Sequence, residues 1–181
     1  MADDDVRSYA DERRRILVEL ERERNQLVRN IETCRIRDIE RPFIDRWSLK
    51  DIVAHIASWE AEVVTAFRDL RDGQHPAIFD FDRSRIDAWN QDHVERMREV
   101  NFFGVMERLH GNRHRLSDEI AHVDDESIGA PSAPHNQLLR MLIEHDREHW
   151  REIAVRLAGM PGVRHDAPTP PPIPSQSRRA G

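Results

Sequence analysis

The chain of 181 residues has one cysteine, Cys34. It cannot form an intrachain disulfide, and a reducing compartment, the cytoplasm, is the expected location. Aromatic residues are scarce at 6%, which argues against a stacking platform for single-stranded nucleic acid. No apolar run approaches the roughly 20 residues that a membrane-spanning helix needs, so no membrane partner is expected. The opening Met1-Ala2-Asp3-Asp4-Asp5 is acidic, whereas a secretory signal starts basic and turns apolar, so none is expected. A basic stripe is also missing. The 28 Lys and Arg are outnumbered by 34 Asp and Glu, for a net charge of −6. In segment 11–24, DERRRILVELERER, the charges alternate in sign, as on a solvated helix face. No nucleic-acid partner is expected from such a balance. There is no alternating strand pattern, no β-hairpin signal and no convincing internal repeat.

What is present is enough apolar residue, 38% beside 34% charged, for one domain with a real core. Tyr9, Ile16, Leu17, Leu20, Leu27 and Ile31 recur at helical spacing and predict a first amphipathic helix over about Val6–Cys34. Ser48, with Asp51 three positions on, predicts the start of a second helix. It continues through Ile52, Ile56, Trp59, Val63, Phe67 and Leu70 to a break at Gly73 and Pro76. A third apolar pattern runs from about Arg83 to Val123, with a kink or restart at Asn101 and Gly104. Residues 124–134 read as a loop, and a fourth helix is expected over about His135–Ala158. The fold class is therefore all-α, a four-helix bundle spanning 1–160. The 10–13-residue link after helix two is long enough, at about 3.3 Å per residue, for a crossover that leaves helices two and three parallel. Residues 161–181 form a Pro-rich tail that reads as disordered or polyproline II. Its PxxP-like composition could bind an SH3-type partner.

Ten histidines occur, and composition alone would give roughly half an H-x-x-x-H pair. There are two, His110/His114 and His145/His149, so the face of each pair decides. With about 100° per residue, His145 and His149 fall within about 40° of each other and point into the stripe of Leu138, Leu142 and Ile153. His110 and His114 lie about 100° or more from Leu109, Leu116 and Ile120, and read as surface residues. His55 faces inward beside Trp59 and Ile52. If helices two and four are antiparallel neighbours, His55, His145 and His149 meet at one end of the core. Three imidazoles with one open position are a common catalytic metal set. Asp51 and Glu152 are candidates to hold the outer ring nitrogens. The stretch H145-D-R-E-H149 is not a zincin motif, having Asp at its second position. Glu60, Asp146 and Glu152 are the nearby carboxylates that could move protons. Trp47, Trp59, Trp89 and Trp150 could line a pocket or pack the core, and Asn90 is a candidate pocket residue. The same residues also fit a metal-free binding module or a bundle whose histidines are only core polar groups.

The segment W47-S-L-K-D-I-V-A-H-I-A-S-W-E60 resembles the second helix of the DinB-like (YfiT-like) four-helix-bundle superfamily, and its Trp-Ser-x-Lys-Asp start is closest to the ClbS/DfsB branch. I143-E-H-D-R-E-H-W-R-E-I153 resembles the superfamily's last helix, and I86-D-A-W-N90 is similar to the opening of its third. The resemblance covers about residues 6–158. It implies a bundle with the crossover above, often assembled as homodimers, in which His55, His145 and His149 bind a divalent metal, commonly zinc or nickel. The activities it implies are those of a metal-dependent hydrolase or an S-transferase using a low-molecular-weight thiol, acting on a small molecule in detoxification or stress response. The ClbS-like branch implies an alternative: metal-independent protection against a reactive small molecule, in a group where the complete triad is not general. The damage-inducible family name does not imply DNA binding.

Overall fold

The computed structural model describes residues 2–35 and 39–159; the tail 161–181 lies outside them. In chain order these residues form α1 (Ala2–Glu32), β1 (Pro42–Ile44), β2 (Trp47–Ser48), α2 (Leu49–Arg71), a 3-10 turn (Ala77–Asp80), α3 (Arg83–Met97), α4 (Phe102–Ile120), α5 (Asp125–Gly129) and α6 (Pro134–Ala158). Local chemistry sets most of the starts. Ser48 accepts from the backbone N–H of Asp51 while the Asp51 carboxylate accepts from that of Ser48, a reciprocal cap for α2. Asp82, Asn101 and Asp124 cap α3, α4 and α5 one way, each side chain accepting from the backbone N–H three residues on, and α6 opens on Pro134. The Asn101 cap shows that the expected third helix is two helices with a restart rather than one with a kink. The Asp124 cap opens a short helix inside the expected 124–134 loop.

A small antiparallel hairpin precedes α2, pairing Pro42 with Ser48 and Ile44 with Trp47. This corrects the expectation of no hairpin. Strands of three and two residues are too short to show the alternation that marks a strand in sequence. Asp45 turns the hairpin at φ 51°, a left-handed conformation that Asp tolerates better than most residues.

Side-chain contacts give the helix directions. Glu12 pairs with Arg140, and Glu23 accepts from the Trp150 indole, so α1 and α6 run parallel. Lys50 donates to the Arg98 carbonyl, Asn112 to that of Ala57, and Arg68 and Arg71 pair with Glu119, so α2 and α4 also run parallel. Between α2 and α6 the order reverses: His55 lies beside His145, and Phe67 beside His135. The crossover is thus present, but α3 carries much of the return, running back along α2 from the Trp59–Trp89 contact toward Lys50.

The core has two apolar layers. One holds Leu27, Ile31, Ile52, Ile56, Leu109 and Ile153. The other holds Ile16, Leu20, Val63, Phe67, Leu116, Leu138 and Leu142. Between them in sequence each of four long helices contributes a buried charged residue to one cluster: Arg24 on α1 (beside the also buried Glu23), Glu60 on α2, Arg113 on α4 and Asp146 on α6. Arg24 bonds Glu60 at 2.8 Å and Asp146 at 2.9 and 3.1 Å. Arg113 bonds the same two carboxylates at 2.6 and 3.1 Å. The quartet is neutral, and each of its carboxylate oxygens accepts from a guanidinium. That is the condition under which buried charge is tolerated.

Candidate metal centre

The Ser48 cap fixes where α2 begins, and His55 then falls on its buried side toward α6. On α6 the i, i+4 spacing stacks His145 and His149 one turn apart on the same side. The three rings meet edge to face, with centroids 4.5–5.1 Å apart. His145 Nε2 lies 2.9 Å from His55 Nε2 and 3.1 Å from His149 Nε2. The possible ligand atoms of the three residues all fall within 4.8 Å of one another.

Protonation suits ligation. Burial, then repulsion from His149, pushes the His55 imidazole down to about 3. Burial and the neighbouring His149, His55 and Arg24 hold His145 well below 6.5. Both rings are therefore neutral at ordinary pH, with lone pairs to give. The His145 Nε2 has a single in-plane direction and faces two partners, so one N–H···N bond cannot serve both well. A cation at the shared point serves all three. Bonds of about 2.0–2.1 Å to zinc in tetrahedral geometry would place such nitrogens roughly 3.3 Å apart, close to the spacing seen. The residues fit a divalent metal.

His149 Nδ1 lies 3.0 Å from the Glu152 carboxylate, the expected support for its outer nitrogen. The hydrogen bond to His149, against an opposing effect of burial, holds the Glu152 carboxyl below its usual value. Asp51 does not give the matching support to His55. Both its roles go to the helix cap, and the Nδ1 atoms of His55 and His145 have no hydrogen-bond partner among the described residues. Glu60 and Asp146, expected to move protons, are fully buried and taken up by Arg24 and Arg113. A proton carrier needs an oxygen that reaches substrate or solvent, and here none of theirs does.

The triad borders two clefts of about 290 Å³ each. One is lined by His55, Trp59, Asn90, Met141, His145, Glu148 and His149, and the other by Trp47, Ile52, His149, Glu152 and the hairpin turn. Asn90 accepts the Trp59 indole N–H at 2.8 Å, which fixes the wall between α2 and α3. Trp47 packs 5.1 Å from the His55 ring. Trp150 is instead a core residue, donating to Glu23. His110 and His114 are exposed, as their helical angle predicts.

Sequence reasoning missed Glu148, on the outer rim of α6, and the arginines of the quartet. A signal for the arginines was present. Arg24 follows Leu20 by four and precedes Leu27 by three, and Arg113 stands in the same relation to Leu109 and Leu116.

A model of the DinB superfamily matches residues 14–153. The chain belongs to the DinB superfamily. The matched span holds all three histidines and all four members of the buried quartet. No curated protein and no solved structure gives a significant match. Among the described residues of this DinB-superfamily chain, no helix is long and apolar enough to cross a membrane.

Proposed function

We propose that this DinB-superfamily protein holds one divalent metal ion through His55, His145 and His149 and acts on a small molecule in the cleft beside them. The observation that carries this reading is the convergence of three histidines, two of them held neutral by burial, at a point bordered by open clefts. Zinc and nickel suit a donor set of three imidazoles. When bound, such an ion supplies Lewis-acid chemistry, polarising a substrate or acidifying a water or thiol. Hydrolysis or thiol S-transfer, in detoxification or stress response, is the reaction class in keeping with that chemistry and with the family resemblance.

The chain's own residues take the supporting parts. Glu152 orients His149 and, half-exposed at the second cleft, is the carboxylate best placed to exchange a proton. Glu148 and Asn90 give the first cleft its polar contacts, while Trp59 and Met141 give it an apolar wall. The family resemblance also supports a homodimer, which sedimentation would report at twice the 21.3 kDa chain mass.

Elemental mass spectrometry of the purified protein tests the reading. One equivalent of zinc or nickel is expected in wild type and none in a folded His145→Ala/His149→Ala variant. A wild type that is empty and takes up neither ion on addition rejects it, and leaves metal-independent capture of a reactive small molecule, as in the ClbS/DfsB branch.

A further inference from the structure

Another cleft, of about 440 Å³, opens away from the triad between α2, α3 and α4, a volume within the range of small-molecule sites. None of the triad residues lines it. Three guanidiniums do: Arg96 from α3, and Arg108 and Arg115 from α4, against one carboxylate, Glu62. This is a local excess of positive charge in a chain whose net charge is −6.

The arginines differ in how they are held. Arg96 pairs with Asp92 at 2.7 Å on the exposed side of α3. Arg115 donates to Asn112 Oδ1 at 2.5 Å, and Asn112 is itself buried and anchored to the Ala57 carbonyl at 2.7 Å. Arg108 lies 2.8 Å from the Met97 thioether, a weak acceptor. Among the described residues, neither Arg108 nor Arg115 has a carboxylate within ion-pair distance, so both keep unspent donors. Trp89 and His93, stacked at 3.7 Å between ring centroids, supply a planar wall.

We propose that this cleft is a second binding site, separate from the histidine triad, for a small molecule bearing a dianionic oxyanion group. Guanidinium forks bind such groups through paired, charge-assisted hydrogen bonds. A phosphate group and a dicarboxylate share this chemistry, and the body of the ligand would lie along Trp89 and Met97.

Calorimetric titration of the full chain at low ionic strength with inorganic phosphate and, separately, succinate tests the proposal. Repeating it on the His145→Ala/His149→Ala protein keeps anion binding at a metal from supplying the signal. Binding of at least one probe should persist there. It should weaken about tenfold or more in Arg108→Met/Arg115→Met, the loss expected for removing charge-assisted hydrogen bonds. Arg14→Met/Arg15→Met removes the same charge from the exposed face of α1 and should change affinity less than about twofold, as screened distant charge does. Phosphate binding without succinate binding assigns a phosphate group, the reverse assigns a dicarboxylate, and binding of both assigns the dianion alone. Heat from neither probe, undiminished binding in Arg108→Met/Arg115→Met, or an equal loss in the α1 variant overturns the proposal. Because the readout is independent of the triad, its failure leaves the metal reading standing.

Discussion

His149 is the member of the triad whose outer nitrogen is fixed by a carboxylate, Glu152 at 3.0 Å. Replacing that carboxylate removes the charged partner that orients the ring. Glu152→Gln should therefore lower zinc affinity by about 10–100-fold in a chelator competition while leaving the fold intact; unchanged affinity would mean that Glu152 plays no part in holding His149. Glu23 supports a prediction of another kind. Burial pushes its carboxyl up, but hydrogen bonds from Trp150, Arg22 and Arg147 outweigh that and hold it below the ordinary 4.5. A lowered carboxyl contributes stability that is complete above the unfolded value and is lost as pH falls through the folded one. Glu23→Gln should therefore be less stable at neutral pH and lose stability less steeply below about pH 4.5, as denaturant titrations across pH would show. The positions of the triad and of Glu152 were legible in the sequence, that of Glu23 was not. The triad could be found because three histidines share helical faces with leucine, isoleucine and tryptophan. Glu60 and Asp146 were singled out, but as proton carriers; their partner Arg24 was overlooked because the alternating charges of 11–24 look like a solvated face. Position on the stripe, not charge sign, decides burial, and residue 24 sits on it.

The elements divide by how much local chemistry marks them. Helices with a capping side chain and a long apolar stripe could be read from sequence, α2 almost to the residue. The β1–β2 hairpin and α5 could not, since each is too short to repeat the period that would reveal it. α5 is held by close packing rather than by its own propensity. A methyl group added at Gly129 would sit 2.5 Å from the Tyr9 carbonyl oxygen and 2.7 Å from its Cα. Both are backbone atoms of α1, so neither can swing aside. Gly129→Ala should cost about 1–3 kcal/mol in unfolding free energy, the usual penalty for overpacking. The quartet acts at the same scale, since it takes one residue from each long helix. Arg24→Met leaves Glu60 and Asp146 short of a partner inside the core and should cost about 3–5 kcal/mol in urea unfolding. A loss below about 1 kcal/mol, the range of exposed pairs, would show that the site is hydrated.

For the whole molecule, metal and fold are linked, because the triad joins α2 to α6 across the bundle. A ligand that binds only the native state stabilises it by about 2.7 kcal/mol at 100 times its Kd. For a chain of this size that is roughly a 5–10 °C rise in Tm. Adding zinc should produce such a shift in wild type and none in His145→Ala/His149→Ala, as measured by differential scanning calorimetry. The fold class was legible at this scale from helix lengths, and the long link permitted a crossover without requiring one. The route of the return was not legible, because α3 buries little of itself, Val94 and Met97 being its buried residues, and so carries a faint pattern.

The buried quartet has a consequence for how the chain can be divided. Cutting at the Gly73 turn gives one piece with α1 and α2 and another with α4 and α6. The first keeps Arg24 with Glu60, and the second keeps Arg113 with Asp146. Each half thus carries its own matched pair of opposite charges into the unassembled state. The histidines divide unevenly, His55 on one side and His145 with His149 on the other. Two co-expressed halves would therefore be able to seek each other without an orphan charge in either, and a complete three-nitrogen set would exist only in the pair, making metal uptake a direct signal that the bundle has closed.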